Sequence, residues 1–109
     1  MKNIILIGMP GAGKSTVGVL CAKMLHMDFA DTDLLIQNQT GELLWKTIEK
    51  VGISQFLLLE EAVILKQEFR NTVIATGGSA VFGQNAMQHL KQTGTFFRCT
   101  AQRAEKTHS

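Results

Sequence analysis

No tyrosine, one proline, one tryptophan and two cysteines occur among the 109 residues of this sequence. Cys21 and Cys99 stand far apart with no C-x-x-C spacing, so neither a disulfide framework nor a cysteine zinc site is expected, and a reducing, cytoplasmic setting fits. Charge of one sign is equally scarce. Lys and Arg number 11 against 9 Asp and Glu, a formal +2, and the basic residues are scattered along the chain, which argues against a nucleic-acid binder. Long apolar runs are lacking too. The run at positions 4–7 is ended by Gly8, Pro10, Gly11 and Gly13 before a signal-peptide core or membrane span is reached, so no membrane partner is expected.

What is present suits one globular domain: 45% hydrophobic residues, 18% charged and 10 glycines. A chain of this size buries between ~60% and ~70% of its unfolded surface, enough for a core without much reserve. Periodicity divides the chain into short apolar runs and longer helical patterns. Residues 3–7 read as a strand buried on both faces, followed by a glycine-rich turn and a helix over 15–25 carrying Val17, Leu20, Cys21, Met24 and Leu25 at helical spacing. A second strand is expected at 29–32. Helical segments follow at 34–39, 43–50 and 53–69, broken at Gly41 and Gly52, with Phe56, Leu59, Val63 and Ile64 as the inward stripe of the last. Residues 72–76 form a third strand stopped by Gly77-Gly78, 84–92 a helix closed by Gly94, and 95–99 a fourth strand. Strands alternating with helices point to a parallel α/β sheet, because parallel neighbours need long crossovers.

The segment Gly8-Met9-Pro10-Gly11-Ala12-Gly13-Lys14-Ser15 satisfies G-x-x-x-x-G-K-[ST] between a strand and a helix. An ordinary glycine-rich turn would match by chance with odds of roughly a few in a thousand. Gly8, Gly11, Ala12, Gly13 and Thr16 let backbone N–H groups turn toward phosphate oxygens, and the following helix aims its positive end at the same place. Lys14 would neutralise the β- and γ-phosphates of ATP, and Ser15 would place its hydroxyl on Mg²⁺. Asp31 and Asp33, two apart at the carboxyl end of the second strand, would face the same way. One can hold Mg²⁺ through water and the other can accept a hydrogen bond or proton from an acceptor hydroxyl; alternatively, one of them, Asp33 as readily as not, caps the helix that begins near Leu34. Gly77-Gly78 leaves backbone open to a substrate on that edge, or is a plain strand-to-helix turn.

Taken together, Gly8 to Thr16, Asp31-Thr32-Asp33 and Ala75-Thr76-Gly77-Gly78 resemble the shikimate kinase family, within the nucleoside monophosphate kinase-like group of P-loop folds. The likeness runs to about residue 97. It implies a three-layer α/β sandwich around a parallel sheet in the order 2-3-1-4-5, MgATP as donor and the 3-hydroxyl of shikimate as acceptor. By the same resemblance Lys14 is the P-loop lysine, Ser15 the magnesium-ligating hydroxyl, Asp31 the carboxylate of the magnesium site and Asp33 the carboxylate that contacts the acceptor. Gly77 and Gly78 match the first two glycines of the family's substrate turn, and Ser79 stands in place of the third. The family's arginine after the phenylalanine of the substrate-binding helix is replaced by Leu57, which cannot grip a carboxylate as a guanidinium does. Family members also continue past the fourth strand with a lid, a further arginine and a fifth strand. The expectation is therefore an incomplete kinase-like domain at 1–99 in the order 2-3-1-4, with the fifth strand missing, and a frayed tail at 100–109. Its fourth strand would be a bare edge open to self-association. Alternative readings are a nucleotide-binding module without turnover and a fragment without activity, since a lid arginine is worth roughly 10³ to 10⁵ in rate in related enzymes.

Overall fold

The computed structural model describes residues 2–8, 14–76, 83–99 and 104–106. Its elements in chain order are β1 (Asn3–Gly8), α1 (Lys14–Leu25), β2 (Asp28–Asp31), α2 (Thr32–Thr40), α3 (Leu44–Leu65), β3 (Thr72–Ala75), α4 (Gln84–Thr93), β4 (Gly94–Cys99) and β5 (Ala104–Lys106). They build a five-stranded sheet in the order β2-β3-β1-β4-β5. The β2–β3, β3–β1 and β1–β4 pairs are parallel, as expected for strands joined through helices. Ile5 of the central strand lies level with Ile74 on one side and Phe96 on the other.

Strand alternation sends the apolar residues of β1 to opposite faces, and each face is covered by a different helix set. Ile5 and Ile7, with Ile74 and Phe96, pack under Ile64 of α3 and Ala86 and Leu90 of α4. Leu6 and Val73 pack under Ala22 of α1, with Val17, Cys21 and Phe29 around them. Full burial of side chains such as Ile5, Leu6, Ile64 and Ile74 contributes about 1.5–3 kcal/mol each. A further cluster, Ile36, Phe56 and Val63, holds α2 against α3. The inward stripe read at Phe56, Val63 and Ile64 is buried as expected. The break read at Gly52 is a kink inside α3, where that residue has φ 82° and ψ 164°.

The chain passes from α4 into β4 with no intervening loop, and Gly94 permits this. A Cβ there would sit 2.6 Å from the Asn3 carbonyl oxygen, so only a glycine lets the two strands pair at their start. Asn3 itself is 1% exposed and ties the start of the sheet together. Its Nδ2 donates to the Phe69 carbonyl (3.0 Å) and to Thr93 Oγ1 (3.1 Å), while its Oδ1 accepts from the Thr72 N–H (2.9 Å).

The parallel order 2-3-1-4 stands as expected, but the outer edge of β4, expected bare, is paired. Ala104–Lys106 forms β5, antiparallel to β4, with Phe97 opposite Lys106, Arg98 opposite Glu105 and Cys99 opposite Ala104. A three-residue edge strand is held by backbone ladder bonds and needs no apolar period, so the polar tail gave no sign of it. The short connection dictates the antiparallel sense. No helix among the described residues is long and apolar enough to cross a membrane.

Candidate functional site

Parallel pairing brings the carboxyl ends of β1, β3 and β2 to one edge of the sheet, the edge on which open α/β sheets bind ligands. Leu6, Ala75 and Asp31 lie at the same level on adjacent strands. With strands ~4.8 Å apart, Asp31 stands roughly 10 Å from β1. Thr76, just past the end of β3, clips it to β1: its N–H and its Oγ1 both donate to the Leu6 carbonyl, at 3.1 and 2.8 Å. The residue after it is Gly77, so the end of β3 is pinned where the Gly-Gly segment begins.

β1 ends at Gly8 with φ 151°, a backbone conformation that side chains rarely allow, and α1 begins at Lys14. The strand and the helix that the phosphate-loop pattern demands on either side of it are therefore present. Thr16 lies exposed in the first turn of α1. Gly11, Ala12, Gly13, Gly77, Gly78 and Ser79 lie outside the described residues, as do the side chains of Lys14 and Ser15.

The first turn of α1 contains no acidic residue and begins with a lysine. A helix start is the positive end of the macrodipole and leaves N–H groups without intrahelical partners, so a lysine there is unfavourable unless an anion joins it. α2 shows the opposite chemistry. Its N-cap is Asp31, whose Oδ1 accepts from the N–H groups of Asp33 (2.9 Å) and Leu34 (3.3 Å), and Asp33 adds a carboxylate in the first turn. The two helix starts on this edge are thus differently poised, one supplied with its own anions and one without.

Asp31 and Asp33 do not alternate along one strand. β2 ends at Asp31 and Thr32 already begins α2, so Asp33 projects from a helical turn. The cap expected of one of the two is supplied by Asp31 and not by Asp33, because a cap precedes the first helical residue and accepts from the second and third N–H groups. Capping does not exclude metal binding, since an ionised carboxylate offers about four acceptor sites. Asp33 is half-buried and, like Asp31 and Thr32, is engaged by other groups.

Magnesium requires only one or two protein oxygens, the rest being water and phosphate oxygens. Asp31, at the carboxyl end of β2, is an oxygen donor of the right hardness, and the hydroxyl residue Ser15 at the start of α1 is a second by sequence. Among the described residues no cluster of three or more His, Cys, Asp and Glu forms a dedicated metal cage, and this chemistry needs none.

One carboxylate escaped sequence reading. Glu60 of α3 is 3% exposed, on the same helix face as Phe56 and Val63, and it is not unpaired. Its position one turn from Phe56 within the apolar stripe was the available signal. Leu57 lies half-buried one residue after Phe56.

Comparison with known proteins agrees with this geometry. The family model described as shikimate kinase matches residues 10–106. A shikimate kinase of Thermodesulfovibrio yellowstonii is 44% identical over 98 residues, covering 89% of this chain and 57% of the relative. One from Caldanaerobacter subterraneus subsp. tengcongensis is 41% identical over 95 residues, with 86% and 56% covered. Among solved structures, shikimate kinase from Acinetobacter baumannii in complex with shikimate superposes with a TM-score of 0.83 at 34% identity, covering 91% of this chain and 56% of that one. The enzyme from Bacteroides thetaiotaomicron gives 0.83 at 32% identity, with 89% and 56% covered. The chain spans a little over half the length of these relatives. The strand and helix flanking the G-x-x-x-x-G-K-S segment, the Asp-bearing start of α2 and a family match over most of the sequence converge: this chain belongs to the shikimate kinase family.

Proposed function

We propose that this chain carries out phosphoryl transfer of the shikimate kinase type, moving the γ-phosphoryl group of MgATP to a hydroxyl of shikimate or a related hydroxy acid. The observation that carries the reading is the start of α1: a lysine at the positive end of a helix, six positions after the glycine that ends β1, with no acid in that turn. That arrangement is electrostatically complete only with a polyanion on it.

Lys14 and the backbone amides of Gly8, Gly11, Ala12, Gly13, Ser15 and Thr16 hold the phosphates and keep the γ-phosphorus in line. Ser15 and Asp31 would hold Mg²⁺, which would supply positive charge against the triphosphate. Asp33 orients the acceptor and takes its proton as the hydroxyl oxygen bonds to the γ-phosphorus. The bond from that phosphorus to the β,γ-bridging oxygen breaks, and its electron pair leaves with ADP. Gly77, Gly78 and Ser79 let the acceptor approach the end of β3.

The test is incubation of the folded chain with MgATP and shikimate, with shikimate phosphate followed by phosphorus NMR. Product that depends on both substrates supports the proposal. Nucleotide binding without product from shikimate or any related hydroxy acid would reduce the chain to a nucleotide-binding module.

A further inference from the structure

The edge where the strands begin, opposite the phosphate loop, holds a feature that phosphoryl transfer does not use. A groove of about 680 Å³ opens between the start of β1, the α3–β3 linker and α4, and its lining includes Lys2, Glu68, Phe69, Arg70, His89 and Leu90. The six residues of β1, at ~3.3 Å per step, set it roughly 17 Å from Gly8, where that strand ends.

Its walls are anchored. Asn3 bonds to the Phe69 carbonyl and the Thr72 N–H, fixing the linker at two points. His89 Nε2 lies 2.8 Å from the Gln67 carbonyl oxygen, which only accepts, so Nε2 carries the proton and the ring is held against a third point. Phe69 and Leu90 belong to or pack on the core cluster under this end, and they give the groove an apolar floor. Lys2 and Arg70 are both exposed, and neither forms an ion pair among the described residues. Glu68 is the one carboxylate in the lining.

We infer that this groove is a second binding site, for a small monocarboxylate with an apolar body. Arg70 presents a planar fork that matches a carboxylate, Lys2 adds a point charge, and the body lies on Phe69 and Leu90. Glu68 on the same wall sets the preference for one negative charge over two, which separates this ligand from phosphorylated ones. The inference does not rest on the proposed activity, and its readout needs no nucleotide.

The test is titration of the ¹⁵N-labelled full chain with benzoate, with benzamide as the uncharged isostere and phenyl phosphate as the dianion. Benzoate is expected to move the amide signals of Phe69, Thr72 and Leu90 saturably, with benzamide and phenyl phosphate at least about tenfold weaker. Arg70→Gln is expected to weaken benzoate about tenfold, the loss of one charge-assisted contact, and Glu68→Gln to tighten it. Lys2→Gln serves as an independent variant should Arg70→Gln not fold. Benzamide or phenyl phosphate binding as tightly as benzoate, affinity unchanged in the cation variants, or shifts absent from these amides would overturn the inference.

Discussion

Asp31 caps α2 and, in the proposed site, also serves magnesium, and asparagine separates those two jobs. Asn is as good a cap as Asp but carries no charge. Asp31→Asn is therefore expected to keep stability within a few tenths of a kcal/mol while raising the Mg²⁺ concentration needed for half-maximal turnover. Asp31→Ala is expected to lose about 1 kcal/mol in urea denaturation as well, because the Asp33 and Leu34 N–H groups lose their acceptor. Equal stability of the two variants would show that the cap contributes nothing. Asp33 is tested differently. Asp33→Asn should leave nucleotide binding intact and lower turnover by roughly 10² to 10⁴, the usual worth of a general base. At this scale the residue types were legible and the backbone was not. An Asp-Thr-Asp triplet reads equally well as a strand end or a helix start, and only the pairing of Asp31 with Ala75 fixes where β2 stops.

Elements were legible wherever their signal was local. The kink at Gly52, the end of β3 beside Gly77 and the helix ending at Gly94 all follow from glycine or from apolar period. What was missed depends on partners distant in sequence. β5 exists because β4 offers unpaired backbone groups, and nothing within Ala104–Lys106 announces it. Replacing Ala104, Glu105 and Lys106 together by proline is expected to unpair β5, because proline has no N–H to give the ladder. Sedimentation velocity should then show more concentration-dependent association than in the native chain; identical behaviour would mean that β5 does not guard the β4 edge. Gly94 gives a second test. Gly94→Ala forces a Cβ against the Asn3 carbonyl and the Ile5 side chain, and a loss of about 1–3 kcal/mol is expected on the midpoint of urea unfolding. A loss of only a few tenths would mean that the start of β4 yields readily.

Across the whole molecule, two ends of one sheet carry different chemistry. The carboxyl edge was legible early, because a phosphate loop concentrates its residues within one turn of chain. The opposite edge was not, since Asn3 reaches Phe69 and Thr93 across most of the sequence and only the folded chain brings them together. The buried Glu60 was hidden for a similar reason, sitting inside an apolar stripe whose period outweighed it. The account stands on an anion completing the start of α1. The most direct measurement is the unfolding free energy with and without MgATP, for the native chain and for Lys14→Ala. Nucleotide at 100 times its Kd should add about 2.7 kcal/mol to the native chain and far less to the variant at the same concentration. No added stability in the native chain, or an equal gain in both proteins, would contradict it.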